Sequence, residues 1–400
     1  ALGNDSKFIW ENYQNNKHFF TKKMFGNDEV FVSELDLNSK KIIENLKNKL
    51  EIKNQLEKFR LSKIEPHMEH DDETEIFRMD LFNELGSLGF CGMPLPEEFG
   101  GMGMSYEDFT IALTEIAKSS VSYAVTISVS AMVQAILNEF GNAKQKKTYL
   151  PSLTSGLEIG AFCLSESGSG SDAASLQTTA KKVDGGYILN GSKIWITSGG
   201  IAKTYIVMAR TGGEGAKGVS AFIVRDGTEG FTYGKKEKKM GWRVSPTREL
   251  IFHNCFIPEE NLLLKEGEGF KIAMAALDKG RFTIGAIAVG CSERALDEAM
   301  KYSLTRHQFK QAIFDFQGLQ FMMADMACEI ECSRLLVQQA AKDYDNKTPN
   351  AKLACMAKLK ATDTAMKVTT DAVQILGGVG YTKEYPVERF MRDAKVLQIV

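Results

Sequence analysis

Hydrophobic positions follow three regimes along the chain. In residues 39–63, Ile42, Ile43, Leu46 and Leu50 recur at helical spacing among Lys, Glu and Asn, which predicts an amphipathic helix. Ile76, Phe77, Leu81, Phe82 and Leu85 repeat that spacing and predict a helix over 74–88. "GFCGMPLPEEFGGMGMS" reads as a glycine- and proline-rich loop, and 105–118 and 119–141 as two more helices. From about 157 to 264 the pattern turns to short β-branched and aromatic runs broken by glycine, such as "TYIVMARTGG", "GVSAFIVRDG" and "TRELIFHNCFIP". These predict the strands of a small barrel or sandwich. In "GYILNGSKIWITSGG", Asn190-Gly191 predicts a hairpin turn between two short strands. After "EGEGF" the spacing is helical again over 268–305, 315–343 and 350–376, with Asn350 placed to start the last helix and Gly377-Gly378 to stop it. Segregated α, β, α order excludes a doubly wound sheet and gives an α+β chain. The expected units are an N-terminal extension (1–37), a helical domain (38–156), a β domain (157–265) and a helical bundle (266–400).

A hydrophobic fraction of 44% and a charged fraction of 25% are those of a soluble globular protein and exclude disorder as the main state. A net charge of −2 gives no pull towards nucleic acid or a membrane surface. Ser119–Asn138 is uncharged and long enough to span a bilayer, yet its six serines and threonines with Gln134 and Asn138 make it a buried helix. Seven scattered cysteines without a CxxC pair, and five histidines, do not support a metal site. They read as small apolar residues in a reducing compartment, with Cys328 and Cys332 sharing a core-facing helix side. No secretory signal or ordinary transit peptide is legible in 1–37. An intracellular protein is expected.

Five motifs could carry chemistry. "CLSESGSGSD" (163–172) places Gly168, Gly170 and four serines in one loop, able to present amides to a phosphate or a polar ring edge, or to be a flexible surface loop. It lacks the Lys of a P-loop and the βαβ context of a Rossmann fingerprint. In "KIWITSGG", Trp195 and Thr197 lie two apart on a strand and face one side, as a platform for a flat heterocycle or as a cross-strand packing pair. In "LDKGR", Asp278 and Arg281 are a ligand-binding pair or a surface ion pair. "RHQF" (306–309) and "QILGGVGY", which contains Gln374, fall at helix ends.

Taken together, these motifs resemble the acyl-CoA dehydrogenase family. "CLSESGSGSD" fits that family's first signature and "QILGGVGYTKEYPVERFMRD" its second, with "GSKIWITSGG", "KGVSAFIV", "IFHNCFIP", "GEGFKIAMAALDKGR", "ADMA" and "MAKLKATDTA" between them in the family's order. The resemblance covers about 75–400. "TGGEGAKGVS" and "GKKEKKMGWRVSPTRELIF" look most like the isobutyryl-CoA dehydrogenase branch, with short-chain members close. The resemblance implies an N-terminal helical domain, a middle β domain and a C-terminal four-helix bundle. It implies FAD held by Phe162, Leu164, Ser165, Gly170, Ser171, Trp195 and Thr197, with Ser171 also on the substrate side. Arg306, Gln308, Phe309, Gln317, Gln374, Gly377 and Gly378 would contact the FAD of a neighbouring subunit in a homotetramer, and Asp278 and Arg281 would line the acyl-CoA channel. The implied activity is α,β-dehydrogenation of a short, straight or branched acyl-CoA, with electrons passed to an electron-transfer flavoprotein, in a bacterial cytoplasm or a mitochondrial matrix. An oxidase on the same fold and a catalytically silent acyl-CoA-binding relative are the alternatives. The family usually has Pro where Ser167 stands and Gly where Lys310 stands.

The catalytic base is left unassigned. The resemblance implies a glutamate directly after "RDAKVLQI-x", a position just beyond Val400, or in a minority of members at the position of Gly280, which has no side chain. The expectation is that the natural chain continues past Val400 into that glutamate.

Overall fold

The computed structural model describes residues 37–400, so the extension expected at 1–37 lies outside the described residues except for Leu37. Helix α1 (Leu37–Phe59) runs through a π turn at Arg60–Ile64 and a short 3-10 turn into α2 (Met68–Thr74). The helix expected at 74–88 starts late, as α3 (Met79–Ser87). Glu75 breaks the chain at φ 57, and the Tyr123 hydroxyl accepts from the Arg78 N–H and donates to its carbonyl, both at 3.1 Å. A tertiary partner thus satisfies the backbone groups that a continuous helix would have used.

Helix α4 (Tyr106–Ala117) opens with a capping box: the Ser105 Oγ accepts from the Asp108 N–H (3.1 Å) and the Asp108 carboxylate from the Ser105 N–H (3.3 Å). The uncharged stretch forms α5 (Val121–Phe140), which is buried on almost every side. It packs on α4, on α6 (Ala143–Thr154) and on the first strand, so it has no solvent face to decorate with charge.

Eight strands follow: β1 (Gly160–Cys163), β2 (Thr179–Val183), β3 (Gly186–Thr197), β4 (Thr204–Arg210), β5 (Val219–Arg225), β6 (Phe231–Lys236), β7 (Thr247–Pro258) and β8 (Leu262–Leu263). Their order is β6-β7-β3-β2-β4-β5-β8, with β1 parallel to β4. Strands β2 and β4 share the single pair Thr179–Arg210, so the sheet folds there into two layers. Tyr187 of β3 and Phe222 of β5 meet edge-on in the core between them, ring centroids 4.9 Å apart. The other face of β4 and β5, with Ile206, Met208 and Ile223, packs against Val133 and Ile136 of α5. Burial on both faces explains why these two strands are continuous apolar runs, whereas β7 alternates.

The hairpin expected at Asn190-Gly191 is not there. Residues 186–197 form one strand, and the turn into it is Asp184-Gly185, with Val183 paired to Gly186. Asn190-Gly191 instead marks a bulge, where the register against β7 shifts and Gly191 takes φ 140. A Cβ at Gly191 would come within 2.7 Å of the Thr178 hydroxyl. The Asn190 side chain accepts from the Asn254 N–H (2.8 Å), giving the pair a cross-strand role.

The last part comprises α7 (Gly269–Thr305), a small hairpin of β9 (His307–Gln308) and β10 (Gln311–Ala312), then α8 (Gln317–Asp345), α9 (Ala351–Leu376) and α10 (Val387–Ile399). Asn350 caps α9 by accepting from the Leu353 N–H (3.1 Å), and Gly377 ends it at φ 66. Cys328 and Cys332 are exposed, contrary to the core reading. With Phe321 and Leu335 they form an outward stripe on α8.

Candidate active site

The two glycine-flanked motifs of the β domain meet in the fold. Beyond β1, residues 164–166 run alongside residues 193–194 of β3. The Ile194 N–H donates to the Ser165 carbonyl (3.0 Å), and the Lys193 ammonium donates to the Leu164 carbonyl (3.0 Å) and to Glu166 Oε1 (2.6 Å). Lys193 is fully buried and Glu166 nearly so. The Glu166 carboxylate also accepts from the backbone N–H groups of Gln177 (2.5 Å) and Thr178 (3.0 Å). Burial pushes the Glu166 carboxyl up, but the Lys193 charge and these hydrogen bonds hold it below the usual carboxylate range. Losing one partner of such a buried pair costs about 3–5 kcal/mol.

Next to this clamp, the register of β3 shifts between Lys193 and Ile196, and Trp195 sits at φ 58. A non-glycine residue there costs about 1–2 kcal/mol. Ile196 turns into the core, while Trp195 and Thr197 stand on the opposite side, the indole 61% exposed. The hydroxyls of Ser165, Ser171 and Thr197 hold no hydrogen bond to another described residue. Phe162 and Leu164 lie on the path leading into this region from β1, half-buried and buried, and Gly170 and Ser171 are exposed just after the tight turn that Glu166 and Ser169 close by a paired bridge. A Cβ at Gly168 or Gly170 would meet nothing within 4 Å, so this loop is open on its outer side.

The remaining candidates do not join this group within one chain. Arg306 is the residue that ends α7, Gln308 and Phe309 lie in the β9–β10 hairpin, and Gln317 starts α8. Gln374, Gly377 and Gly378 lie at the C-terminal end of α9. Tyr302 and Tyr385 pack edge-on at 5.5 Å, which ties these two sets to one end of the bundle. All seven are exposed. Phe309 (φ 53) and Lys310 (φ 69) form a two-residue turn with both residues in the left-handed region, which is where glycine is favoured. The loop keeps its tight turn with Lys at 310.

Asp278 and Arg281 lie in the N-terminal half of α7, away from Arg306, and form an ion pair with each other, both partly exposed. Between them, Gly280 faces α5: a Cβ there would meet the Met132 methyl at 3.1 Å. The neighbouring Lys279 is buried and pairs with Glu139. A cavity of about 550 Å³ lies elsewhere, among α1, α4, α7 and α8, lined by Leu46, Leu50, Ile111, Val289 and Val337.

Comparison with known proteins decides what this arrangement is. Three family models match in order: the N-terminal domain of acyl-CoA dehydrogenase over residues 47–157, its middle domain over 161–255 and its C-terminal domain over 267–400. A mitochondrial isobutyryl-CoA dehydrogenase of Dictyostelium discoideum is 45% identical over 86% of this chain and 83% of its own. The chain belongs to the acyl-CoA dehydrogenase family.

It is also similar to the solved butyryl-CoA dehydrogenase of Megasphaera elsdenii, at 44% identity and a TM-score of 0.86 over 88% of this chain and 93% of that one. A chain in the solved structure of the electron transferring flavoprotein of Acidaminococcus fermentans is 47% identical, with a TM-score of 0.87 over 88% and 93%. Acyl-CoA dehydrogenases are flavoprotein oxidoreductases that use FAD. The residues present fit such a group: an outward-facing indole on a constrained backbone, with unpaired hydroxyls on the same two segments, suits a flat heterocycle with polar edges. Sequence reasoning passed over Lys193 and Glu166. Their signal was a lone base in an apolar strand and a lone acid in a serine-glycine loop, and only the fold shows them paired.

Proposed function

We propose that this chain binds FAD through Phe162, Leu164, Ser165, Gly170, Ser171, Trp195 and Thr197 and oxidises a short, straight or branched acyl-CoA to the 2,3-enoyl-CoA. The observation that carries this reading is the Ile194–Ser165 hydrogen bond, which sets the serine-glycine loop beside the Trp195–Thr197 platform. FAD, when bound, supplies acceptance of the hydride from the β-carbon. The chain's own tasks are to hold the acyl group against that platform, to exclude water and to take the α-proton onto a carboxylate. No carboxylate among the described residues is assigned that task; the position directly after Val400, to which α10 and its "RDAKVLQI" segment lead, is the one to test. Asp278 and Arg281 fit the acyl-CoA channel.

Arg306, Gln308, Phe309, Gln317, Gln374, Gly377 and Gly378 are read as serving the FAD of a second copy. Supporting this, they lie around the C-terminal end of α7, away from Arg281. The outward stripe of Phe321, Cys328, Cys332 and Leu335 on α8, with Met356 and Leu359 exposed on α9, offers an apolar face for further copies in a homotetramer. Kinship with a chain from an electron transferring flavoprotein structure supports such a flavoprotein as electron acceptor. The three runs of elements are read as domains at 38–156, 157–265 and 266–400. Bacterial and mitochondrial relatives support a bacterial cytoplasm or a mitochondrial matrix.

The test is reconstitution with FAD and steady-state assay with butyryl-CoA and isobutyryl-CoA, using a chain that carries a glutamate directly after Val400. Enoyl-CoA formation with an electron-transfer flavoprotein or a dye acceptor is expected. Failure to reduce bound flavin with either substrate would overturn the reading. Rapid reoxidation of the substrate-reduced flavin by air would move it to an oxidase.

A further inference from the structure

The residues proposed to touch the flavin do not hold themselves in place. Ser165 and Leu164 follow the last residue of β1, and Trp195 sits in a bulge at positive φ. Besides the Ile194–Ser165 hydrogen bond, a buried ion pair ties the two together, and its members belong to neither contact set. Lys193 reaches back from β3 to the Leu164 carbonyl (3.0 Å) and to Glu166 (2.6 Å). Glu166 turns the same carboxylate to the N–H groups of Gln177 (2.5 Å) and Thr178 (3.0 Å), which lead into β2. Its backbone closes the tight turn with Ser169, the N–H and carbonyl of each bonding the other at 2.9 and 3.1 Å. The buried pair thus spans three segments: the ammonium of Lys193, two residues before Trp195, reaches the start of the serine-glycine loop, and the Glu166 carboxylate reaches the entry to β2.

We propose that Lys193 and Glu166 are positioning residues for the flavin: their buried pair fixes the Leu164–Ser165 backbone and the outward setting of Trp195 relative to each other. Both side chains are buried and already held by protein partners, Lys193 by two acceptors and Glu166 by Lys193 and two backbone N–H groups. An isolated charge left behind by removing either one would be unpaired in the domain interior. The two contact segments would then separate or admit water, and the platform would lose its register with the serine hydroxyls.

The inference rests on the reading that this chain binds FAD, and its test keeps the two apart. The 400-residue chain is prepared as wild type, as Lys193→Met, as Glu166→Gln and as the double variant K193M/E166Q, which leaves no unpaired buried charge. Lys203→Met is the control, since its pair with Asp226 is largely exposed in the same β domain. FAD affinity, the visible flavin spectrum and the flavin reduction potential are measured. Acrylamide quenching of Trp195 is measured with and without FAD in a W10F/W242F background. The pair variants are expected to bind FAD about 10–100-fold more weakly, the usual cost of losing a residue that supports contact groups. Their residual flavin should show a shifted spectrum and potential, and Trp195 should be more accessible even without FAD. K203M should match wild type. A folded double variant with wild-type affinity, spectrum and potential would overturn the proposal. So would failure of every pair variant to fold, which would make the pair a general stability element of the β domain. If wild type itself takes up no FAD, the functional reading falls, and the inference about Trp195 still stands or falls on the quenching of the apo variants.

Discussion

Arg281, about a third of the way along α7, and Arg306, which caps its C-terminus, lie roughly 37 Å apart along the helix at 1.5 Å per residue. The residue proposed for the acyl-CoA channel and the residue proposed for a neighbour's FAD therefore sit on separate parts of each chain. In the proposed shared site, a second copy would bring its Arg306 to the Trp195 platform. Light scattering of the FAD-loaded protein is expected to give a tetramer. Arg306→Ala should weaken FAD by about 1–3 kcal/mol, the range for a charge-assisted hydrogen bond. A monomer that retains stoichiometric FAD would contradict the shared site.

Flavin content is the plainest expectation. The purified protein should be yellow, with one FAD per chain. Trp195→Ala should lower that occupancy with little effect on the melting temperature, because the indole is largely exposed and its loss opens no core cavity. A protein that stays colourless after FAD is added would refute this.

The base gives the sharpest kinetic contrast. The chain ending at Val400 should bind FAD and acyl-CoA yet turn over about 10²–10⁴-fold more slowly than one with a glutamate directly after Val400. Gly280→Glu in the shorter chain should restore part of the activity. Among the described residues outside its own turn of helix, the new Cβ would meet the movable end of Met132, at 3.1 Å. Steady-state rates with butyryl-CoA and isobutyryl-CoA decide between them, and a fully active shorter chain would mean that another residue is the base.

Acid stability should depend on Glu293. Burial would raise its carboxyl, but Lys118 at 2.7 Å and the paired Arg334 bring it down from 4.5 to about 2. A folded value below the unfolded one stabilises above the unfolded value and is lost as pH falls, here from about 4.5 through about 2. The contribution at neutral pH is about 3 kcal/mol. Glu293→Gln should therefore be destabilised by that order at pH 7, and the gap between the two denaturation midpoints should close on acidification. An equal gap at pH 3 and pH 7 would exclude this linkage.

Local patterning alone determined a great deal in this chain. The order of helical, extended and helical regimes, the long proline-free helices, the Asn350 start and the Gly377 stop follow from side-chain periodicity and cap chemistry, which act over a few residues. The two signatures were enough to place the chain in its family. Where the reading failed, a partner distant in sequence had intervened. Tyr123 took the backbone of Arg78 and split the expected helix at 74–88, and Asn254 drew Asn190 into a bulge instead of a turn. Cys328 and Cys332 share a helix side as expected, but periodicity does not say whether a face meets the core or the outside. The candidate site divides in the same way. Its contact residues are legible as motifs, whereas the pairing of Lys193 with Glu166 is a distance through space. Only the folded chain sets that distance, because a buried charge is stable only once the fold has brought its counter-charge to it.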